Sequence, residues 1–169
     1  MFDVALMGSI VLEARVRQAA LNTGEVFIGF SDVNTDLAII EGAICHGDTV
    51  TVTLTASDLV GFLMASDLTD NSDWHGVYNG GTTTGETTST SVDFDAGATA
   101  GEYQVLRLEL FPNGTAEWWV DGVLEQTVTG AVSTSVDLCL NVIVESKTTA
   151  VKTMDVDYIR VWANRDWTA

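Results

Sequence analysis

The stretch YQVLRLELFPNGTAEWWVDGVLEQTV, Tyr103–Val128, predicts three strands joined by two turns. Its first part places a leucine at every second position of Leu106–Leu110, a period of two that is typical of a half-buried strand. Pro112–Gly114 fits a turn, because proline suits its second position and Asn and Gly tolerate positive φ. Asp121–Gly122 suits a type I′ hairpin turn. An antiparallel meander is therefore predicted, with strands Tyr103–Phe111, Ala116–Val120 and Val123–Val128.

Other stretches predict further strands. Ile10–Gln18 alternates apolar and polar residues, and Glu25–Ser31 is expected to pair with it after a turn at Asn22–Gly24. Leu37–Cys45 fits either an edge strand or a short helix. Thr82–Thr90 fits a mobile loop or an extended edge strand, and as an edge it is the predicted contact for a partner chain. The remaining predicted strands are Thr49–Thr55, Val60–Ala65, Trp74–Tyr78, Val136–Ser146 and Val151–Trp162.

Composition limits the fold class and the partners. The chain has 169 residues, 46% hydrophobic and 18% charged, which predicts one folded domain over residues 1–169. Its net charge of -17 argues against nucleic acid as a partner, because nucleic-acid binding depends on Lys and Arg that neutralise phosphates. An anionic membrane surface is disfavoured for the same reason.

Three segments carry a family resemblance. All three are similar to strands of the concanavalin A-like lectin/glucanase and laminin G-like superfamily. Gly114–Val128, GTAEWWVDGVLEQTV, is similar to a hairpin of that superfamily. Met154–Trp162, MDVDYIRVW, is similar to its closing strand, and Glu13–Val16 is similar to an early strand. The order and spacing of the three segments fit nearly the whole chain. The resemblance implies an all-β jelly-roll sandwich of two antiparallel sheets.

Two more segments resemble a narrower group. Gly61–Leu63 and the strand Trp74–Val77 are similar to virion structural proteins of tailed bacteriophages. That resemblance implies a non-enzymatic capsid decoration or cement subunit, made in the host cytoplasm and carried in the virion. Its partners would be the major capsid protein and copies of itself, with no cofactor, no nucleic acid and no membrane. The alternative is a lectin-like carbohydrate-binding module.

Motifs for catalysis are missing from the sequence. Glucanases of the superfamily share a Glu-x-Asp-x-x-Glu strand that places an acid and a nucleophile on one face, and this chain has no such string. The nearest pair is Asp155 and Asp157, interpreted as structural or solvated. Cys45 and His46 are adjacent, so on a strand they would project to opposite faces and could not form a thiolate–imidazole pair. The sequence therefore predicts a protein that is not an enzyme.

Metal and disulfide sites are not predicted. Calcium is the open alternative, since Asp32–Asp36 and Asp67–Asp73 are loops rich in oxygen ligands, but Asp and Asn are also ordinary turn formers. Cys45 and Cys139 are expected to be free thiols, as in a chain made in a reducing compartment.

Aromatic residues are the remaining binding signal. Trp118 and Trp119 are adjacent on a strand and must face opposite sides, so one of them leaves the core. We expect Trp119 to be the outward one, able to stack on a sugar, to anchor a protein interface, or to lie under a loop. Trp74, His75 and Tyr78 form a second candidate patch with the same three interpretations.

Overall fold

The computed structural model describes residues 1–35 and 39–165 of the chain. Within them nearly all of the regular secondary structure is β-strand, and the exceptions are one π-helical turn, Ile40–Ile44, and one short α-helix, α1 (Ser89–Val92). The strands are β1 (Phe2–Asp3), β2 (Ile10–Gln18), β3 (Gly24–Ser31), β4 (Cys45–Asp48), β5 (Thr51–Leu54), β6 (Leu59–Ala65), β7 (Asp73–Asn79), β8 (Asp93–Gly97), β9 (Tyr103–Leu110), β10 (Ala116–Val120), β11 (Val123–Val128), β12 (Asp137–Ser146) and β13 (Met154–Trp162).

Two antiparallel sheets form the predicted sandwich. The six-stranded sheet has the order β1-β12-β3-β6-β7-β8, and the five-stranded sheet has the order β11-β10-β9-β2-β13. β4 and β5 form a separate hairpin. Every paired strand runs antiparallel to its neighbour, as expected where short turns join consecutive strands.

The predicted meander is confirmed as β9, β10 and β11. Gly114 has φ +79° and donates its N–H to the carbonyl of Phe111 at 2.9 Å, which closes the first turn. Asp121 and Gly122 both have positive φ, +49° and +84°, as a type I′ turn requires. Turn chemistry and alternation together therefore located these strands.

The main core lies between the sheets. The inward side chains of β2, β3, β6, β9 and β10 fill it, and the alternation of each strand places its apolar residues there. Trp118 is fully buried at the centre, while Trp119 on the other face of β10 is only half-buried. The expectation that these two tryptophans differ in burial is confirmed.

A second apolar layer covers the outer face of the six-stranded sheet. The π-helical turn and the β4–β5 hairpin place Ile40, Ile44 and Val52 against Phe27 and Leu63 of that sheet. The hairpin is also hydrogen-bonded along both sides, to residues 67–69 and to residues 87–89. Both faces of the six-stranded sheet are therefore packed, whereas the five-stranded sheet has one face in solvent.

Three sequence-based expectations about strand packing are wrong. β2 and β3 do not pair, because the connection after Gln18 crosses from one sheet to the other: β2 pairs with β9 and β13, and β3 with β6 and β12. β12 is half-exposed rather than buried, since it lies next to the two-residue edge strand β1. Thr82–Thr90 is not a free edge, because the carbonyl of Thr87 accepts the N–H of Val52 at 2.7 Å.

The structure also bears on the two predicted segments between β3 and the start of β4. Leu37–Cys45 contains the π-helical turn, so the helical alternative is the one observed over its described part. Asp36 lies outside the described residues, so the Asp32–Asp36 loop is seen only in part. Within it, Asp32 Oδ1 accepts the N–H of Asp58 at 3.3 Å. No helix in residues 1–35 and 39–165 is long and apolar enough to cross a membrane.

Candidate functional site

The solvent face of the five-stranded sheet concentrates the basic residues of the chain. Alternation along β2, β9 and β13 turns Arg15, Arg17, Arg107 and Arg160 outward, since the residues between them pack into the core or lie on the core side. These are four of only seven Lys and Arg residues in the whole sequence. We call this surface the arginine face.

One row of side chains crosses the arginine face. Trp119 on β10 lies opposite Arg107 on β9, Arg107 lies opposite Glu13 on β2, and Glu13 lies opposite Arg160 on β13. Adjacent strands are separated by about 4.8 Å, so the row is about 14 Å long. An aromatic ring, two guanidinium groups and a carboxylate are thus aligned across four strands.

Two shallow cavities lie on either side of Arg107. The larger has a volume of about 330 Å³ and is lined by Glu13, Val105, Arg107, Trp119 and Gly122. The smaller, of about 220 Å³, is lined by Val11, Arg107 and Trp162. Each cavity therefore has one tryptophan wall, and they share a guanidinium group.

Two aromatic residues of β13, Tyr158 and Trp162, flank the Arg160 end of the row. Trp162 is 47% exposed and lies on the edge strand β13, opposite Val11 of β2. Tyr158 donates its hydroxyl to Oε1 of Glu13 at 2.9 Å, and this hydrogen bond is the main reason why the pKa of the phenol is raised. The phenol therefore stays protonated and orients the carboxylate of Glu13.

The two arginines of the row are held in place by their neighbours. Arg107 Nη2 donates to Oε2 of Glu109 at 3.0 Å, and the Arg160 guanidinium lies 4.8 Å from the centroid of the Tyr158 ring. A cation over an aromatic face is favourable and restricts the side chain. The row is therefore largely ordered before any ligand arrives.

The other end of the arginine face is occupied by ion pairs. Arg15 binds Asp157 at 2.6 Å and Arg17 binds Asp155, so both acidic residues bridge β13 to β2. Both guanidinium groups also stack on Tyr103, at 4.2 and 4.9 Å from its centroid. The interpretation of Asp155 and Asp157 as structural agrees with these contacts.

Of the four residues predicted to bind a partner, only Trp119 lies on this face. Trp74 and Tyr78 are 1% and 7% exposed and face the core, where Trp74 Nε1 donates to Gln104 at 3.0 Å. His75 is 0% exposed on the opposite side of β7. Their predicted surface patch is wrong because β7 is an inner strand whose outer face lies under the second apolar layer.

Neither the other three members of the row nor Trp162 is among the site residues predicted from the sequence. Alternation does turn Glu13, Arg107, Arg160 and Trp162 away from the core, so their outward direction could have been found. Their adjacency depends on the strand order β10-β9-β2-β13, which joins segments far apart in the chain. No local pattern specifies that order.

A second cluster of charged groups is buried under the hairpin. Glu25 is 0% exposed, accepts the N–H of Gly47 at 3.2 Å and lies 3.7 Å from Lys147 Nζ. Burial raises the pKa of Glu25 to about 7, against the opposing influence of Lys147. Lys147 also binds Glu41, so the cluster links the six-stranded sheet to its cover. We assign it a structural role.

Comparison with known proteins identifies the fold. No protein-family profile matches the sequence, and no curated protein sequence is significantly similar to it. Solved structures do match. An alginate lyase from Pseudomonas aeruginosa aligns with a TM-score of 0.55 and 13% identity, over 96% of this chain and 68% of the lyase. Bacillus licheniformis β-glucanase aligns at 0.52 and 16%, over 95% of this chain and 68% of the glucanase.

A third structure matches only in part of its length. A mutant Trypanosoma rangeli sialidase aligns with a TM-score of 0.52 and 12% identity, over 94% of this chain but 21% of the sialidase. At these identities the likeness concerns the fold alone. The chain therefore has the concanavalin A-like jelly-roll fold that its sequence segments resemble.

Proposed function

We propose that this chain is a non-enzymatic carbohydrate-binding module that holds a neutral glycan on the arginine face. The observation that carries the proposal is the pair of tryptophan-walled cavities on either side of Arg107. Sugar rings have apolar faces that pack on aromatic rings, and shallow sites of this kind combine apolar walls with a few fixed polar groups. A row of about 14 Å is long enough for a short run of linked sugars.

The polar groups of the row suit hydroxyl ligands. A sugar hydroxyl both donates and accepts hydrogen bonds, so it needs acceptors and donors close together. Glu13 and Glu109 offer carboxylate oxygens, and Arg107 and Arg160 offer guanidinium N–H groups. Both classes of partner are therefore present between the two tryptophans.

Charge favours a neutral glycan over a polyanion. The chain has a net charge of -17, which repels a polyanion approaching from solution. On the arginine face three of the four guanidinium groups already have a carboxylate partner. We therefore expect a neutral β-glucan type of ligand to bind better than an alginate type.

Fold analogy agrees with this class of ligand. The alginate lyase and the β-glucanase have the same fold, and each is named after a polysaccharide substrate. This supports the proposal by analogy of fold. The proposal of binding without catalysis rests on the missing Glu-x-Asp-x-x-Glu string.

Titration calorimetry and affinity electrophoresis test the proposal. The panel contains soluble mixed-linkage β-glucan, laminarin, xylan and mannan, with alginate as the anionic comparison. We expect saturable binding of a neutral glycan, weakened about tenfold or more by Trp119→Ala and by Trp162→Ala, which corresponds to at least about 1.4 kcal/mol.

Two controls separate stacking from folding. Trp162→Phe keeps an aromatic face and should retain most of the affinity, and Val151→Ala, at a site 78% exposed and off the sheet, should change nothing. Wild-type protein that binds no neutral glycan in the panel, or a Trp119→Ala/Trp162→Ala double variant that binds like wild type, would refute the proposal.

Assembly with other proteins is the second candidate function. Within the described residues, β11 and β13 form the two unpaired edges of the five-stranded sheet and expose Val123, Leu124 and Val156 at 58%, 44% and 43%. Such edges offer N–H and C=O groups to a partner strand. This observation fits a capsid decoration subunit of a tailed bacteriophage, located in the virion and contacting the major capsid protein or copies of itself.

Oligomeric state and capsid binding test this second candidate. A cement subunit should self-associate or bind empty capsids with a saturating stoichiometry that added sugars do not change. Val156→Lys and Leu124→Lys should abolish that binding, because a lysine at a strand edge opposes edge-to-edge pairing. A monomer that binds no capsid would exclude this function.

A further inference from the structure

We propose that Asp70, His75 and Asp93 form a binding site for a divalent transition-metal ion, of which Zn²⁺ is the best fit. One ligand atom from each of the three residues lies within 4.8 Å of the other two. The cluster lies on the six-stranded sheet, so it is separated from the arginine face by the whole core. It is therefore a site of its own, independent of the proposed glycan binding.

Backbone structure brings the three residues together. His75 on β7 and Asp93 on β8 are directly opposite each other in the antiparallel ladder, which places neighbouring side chains about 5 Å apart. Asp70 lies in the turn that precedes β7, and this turn is closed by a hydrogen bond of 3.1 Å from the N–H of Asp73 to the carbonyl of Asp70. Two strands and one turn thus meet at the cluster.

His75 is prepared as a ligand. Its side chain is 0% exposed, and Nδ1 lies 3.1 Å from the carbonyl oxygen of Asp73. A carbonyl can only accept, so Nδ1 carries a hydrogen, and in the neutral imidazole this leaves Nε2 with the lone pair that a metal needs. Nε2 is buried without a hydrogen-bond partner among the described residues, which is costly for a polar atom. Metal-ligating histidines commonly donate their other N–H to a backbone carbonyl in this way.

The donor set selects the class of metal. An imidazole nitrogen with two carboxylate oxygens suits Zn²⁺ and related ions, whereas Ca²⁺ prefers six to eight oxygens. Asp70 and Asp93 are both partly exposed, so water can reach the cluster and complete the coordination. The calcium alternative for the Asp67–Asp73 loop therefore gives way to a mixed nitrogen and oxygen site that uses only Asp70 of that loop.

Zinc titration of chelator-treated protein tests the site. We expect about one Zn²⁺ per chain by calorimetry and an increase in Tm with added Zn²⁺, because a ligand that binds only the folded state stabilises it. Asp70→Asn and Asp93→Asn should each lower the Zn²⁺ affinity about tenfold or more and reduce the increase in Tm. Bound Co²⁺ should give a visible absorption spectrum, and this spectrum should disappear when Zn²⁺ displaces the Co²⁺.

The Asn variants are chosen so that the protein still folds and its Zn²⁺ affinity can be measured. An Asn side-chain oxygen at position 93 can still accept the N–H of Asp95, a bond of 3.0 Å, whereas His75→Gln changes a fully buried side chain and could unfold the protein. Asp95→Asn is the matched control: it removes an exposed carboxylate from the same strand, and Asn tolerates its φ of +52°. This control should bind Zn²⁺ like wild type.

Three results would overturn the site. The first is the absence of stoichiometric Zn²⁺ binding by wild type, and the second is unchanged binding by an Asp70→Asn/Asp93→Asn double variant. The third is an equal increase in Tm with Ca²⁺ and Zn²⁺, which would indicate ordinary screening of an acidic surface. Glycan affinity is measured with chelator present, and the proposed glycan site lies on the other sheet. None of these three results therefore bears on glycan affinity.

Discussion

The indole nitrogen of Trp118 donates a hydrogen bond of 2.9 Å to the carbonyl oxygen of Gly61. Trp118 belongs to the five-stranded sheet and Gly61 to the six-stranded sheet, so this bond joins the two layers through the core. Gly61 has no room for a side chain, because an added Cβ would lie 2.7 Å from the carbonyl oxygen of Ile28. Glycine at position 61 therefore permits the close approach of β6 to β3 within the six-stranded sheet, while its carbonyl accepts the indole N–H from the other sheet.

Unequal stability losses at the two adjacent tryptophans follow from this arrangement. Trp118→Ala should lower the free energy of unfolding by about 3–5 kcal/mol, since it opens a cavity in a packed core. Trp119→Ala should cost less than about 1 kcal/mol, because its side chain lies on the solvent side of the sheet and outside the packed core. Urea denaturation of both variants measures the difference, and equal losses would mean that the outer ring also supports the fold.

The hydrogen bond itself can be tested by Trp118→Phe. This change removes the N–H and leaves the Gly61 carbonyl buried without its partner, at a cost of about 1–3 kcal/mol. Trp119→Phe is the matched control, and it should be nearly neutral. Equal denaturant midpoints for the two variants would mean that the hydrogen bond between Trp118 and Gly61 does not stabilise the packing of the two sheets.

Stability should fall as pH rises between about 4.5 and 7 because of Glu25. Burial raises its pKa to about 7 from an ordinary value of 4.5, so in this range the unfolded chain ionises while the folded chain stays protonated. The shift corresponds to a loss of about 3 kcal/mol that is complete above pH 7 and absent below pH 4.5. Glu25→Gln should remove this pH dependence.

Denaturation at a series of pH values checks the contribution of Glu25. Glu102→Gln is the control, since Glu102 is exposed and its replacement should leave the pH profile as in wild type. If Glu25→Gln and wild type lose stability in parallel between pH 4.5 and 7, Glu25 ionises normally in the folded state.

The two thiols should react at very different rates. Cys45 is buried, and burial raises the pKa of its thiol, so its reactive thiolate is scarce and shielded. Cys139 is a free cysteine on the half-exposed strand β12. Under native conditions a thiol reagent should label Cys139 alone, and denaturant should release the second thiol. Mass spectrometry of labelled peptides identifies the site, and rapid native labelling of Cys45 would show that the hairpin opens readily.

The Asp121–Gly122 turn should tolerate change unevenly. Gly122 has φ +84°, so Gly122→Val forces a β-branched residue into the left-handed region and should cost about 1–3 kcal/mol. Asp121→Asn should be nearly neutral, because Asn tolerates φ +49° and its oxygen can still accept the N–H of Val105, now at 2.8 Å. Thermal unfolding of both variants tests the turn, and equal Tm values would mean that it does not constrain the hairpin.

Local patterns predicted local structure well. The leucines of Leu106–Leu110 and the turn at Asp121–Gly122 together specified the meander, and alternation separated Trp118 from Trp119. These features depend on neighbours in the chain and on the fixed period of a strand. They required no knowledge of the sheet order.

Contacts between distant segments were not predictable in the same way. Alternation shows that Trp74 and His75 face opposite sides of a strand, but not that both sides of β7 are covered. The cover comes from residues around Ile40 and Val52, whose packing on the six-stranded sheet leaves no periodic signal. The row on the arginine face and the pairing of β2 with β13 depend on strand order in the same way.

The arginine face also makes the charge distribution of the molecule asymmetric. Three of its four arginines are paired with a carboxylate, so this face carries little net charge and nearly all of the net charge of -17 resides on the remaining surface. This uneven charge distribution gives the protein a dipole, so an electric field exerts a torque on it in addition to the force on its net charge. Near a negatively charged wall it turns this sheet toward the wall and its acidic side toward the bulk. Weak collisions are thus oriented before any specific contact forms, and added salt abolishes that orientation.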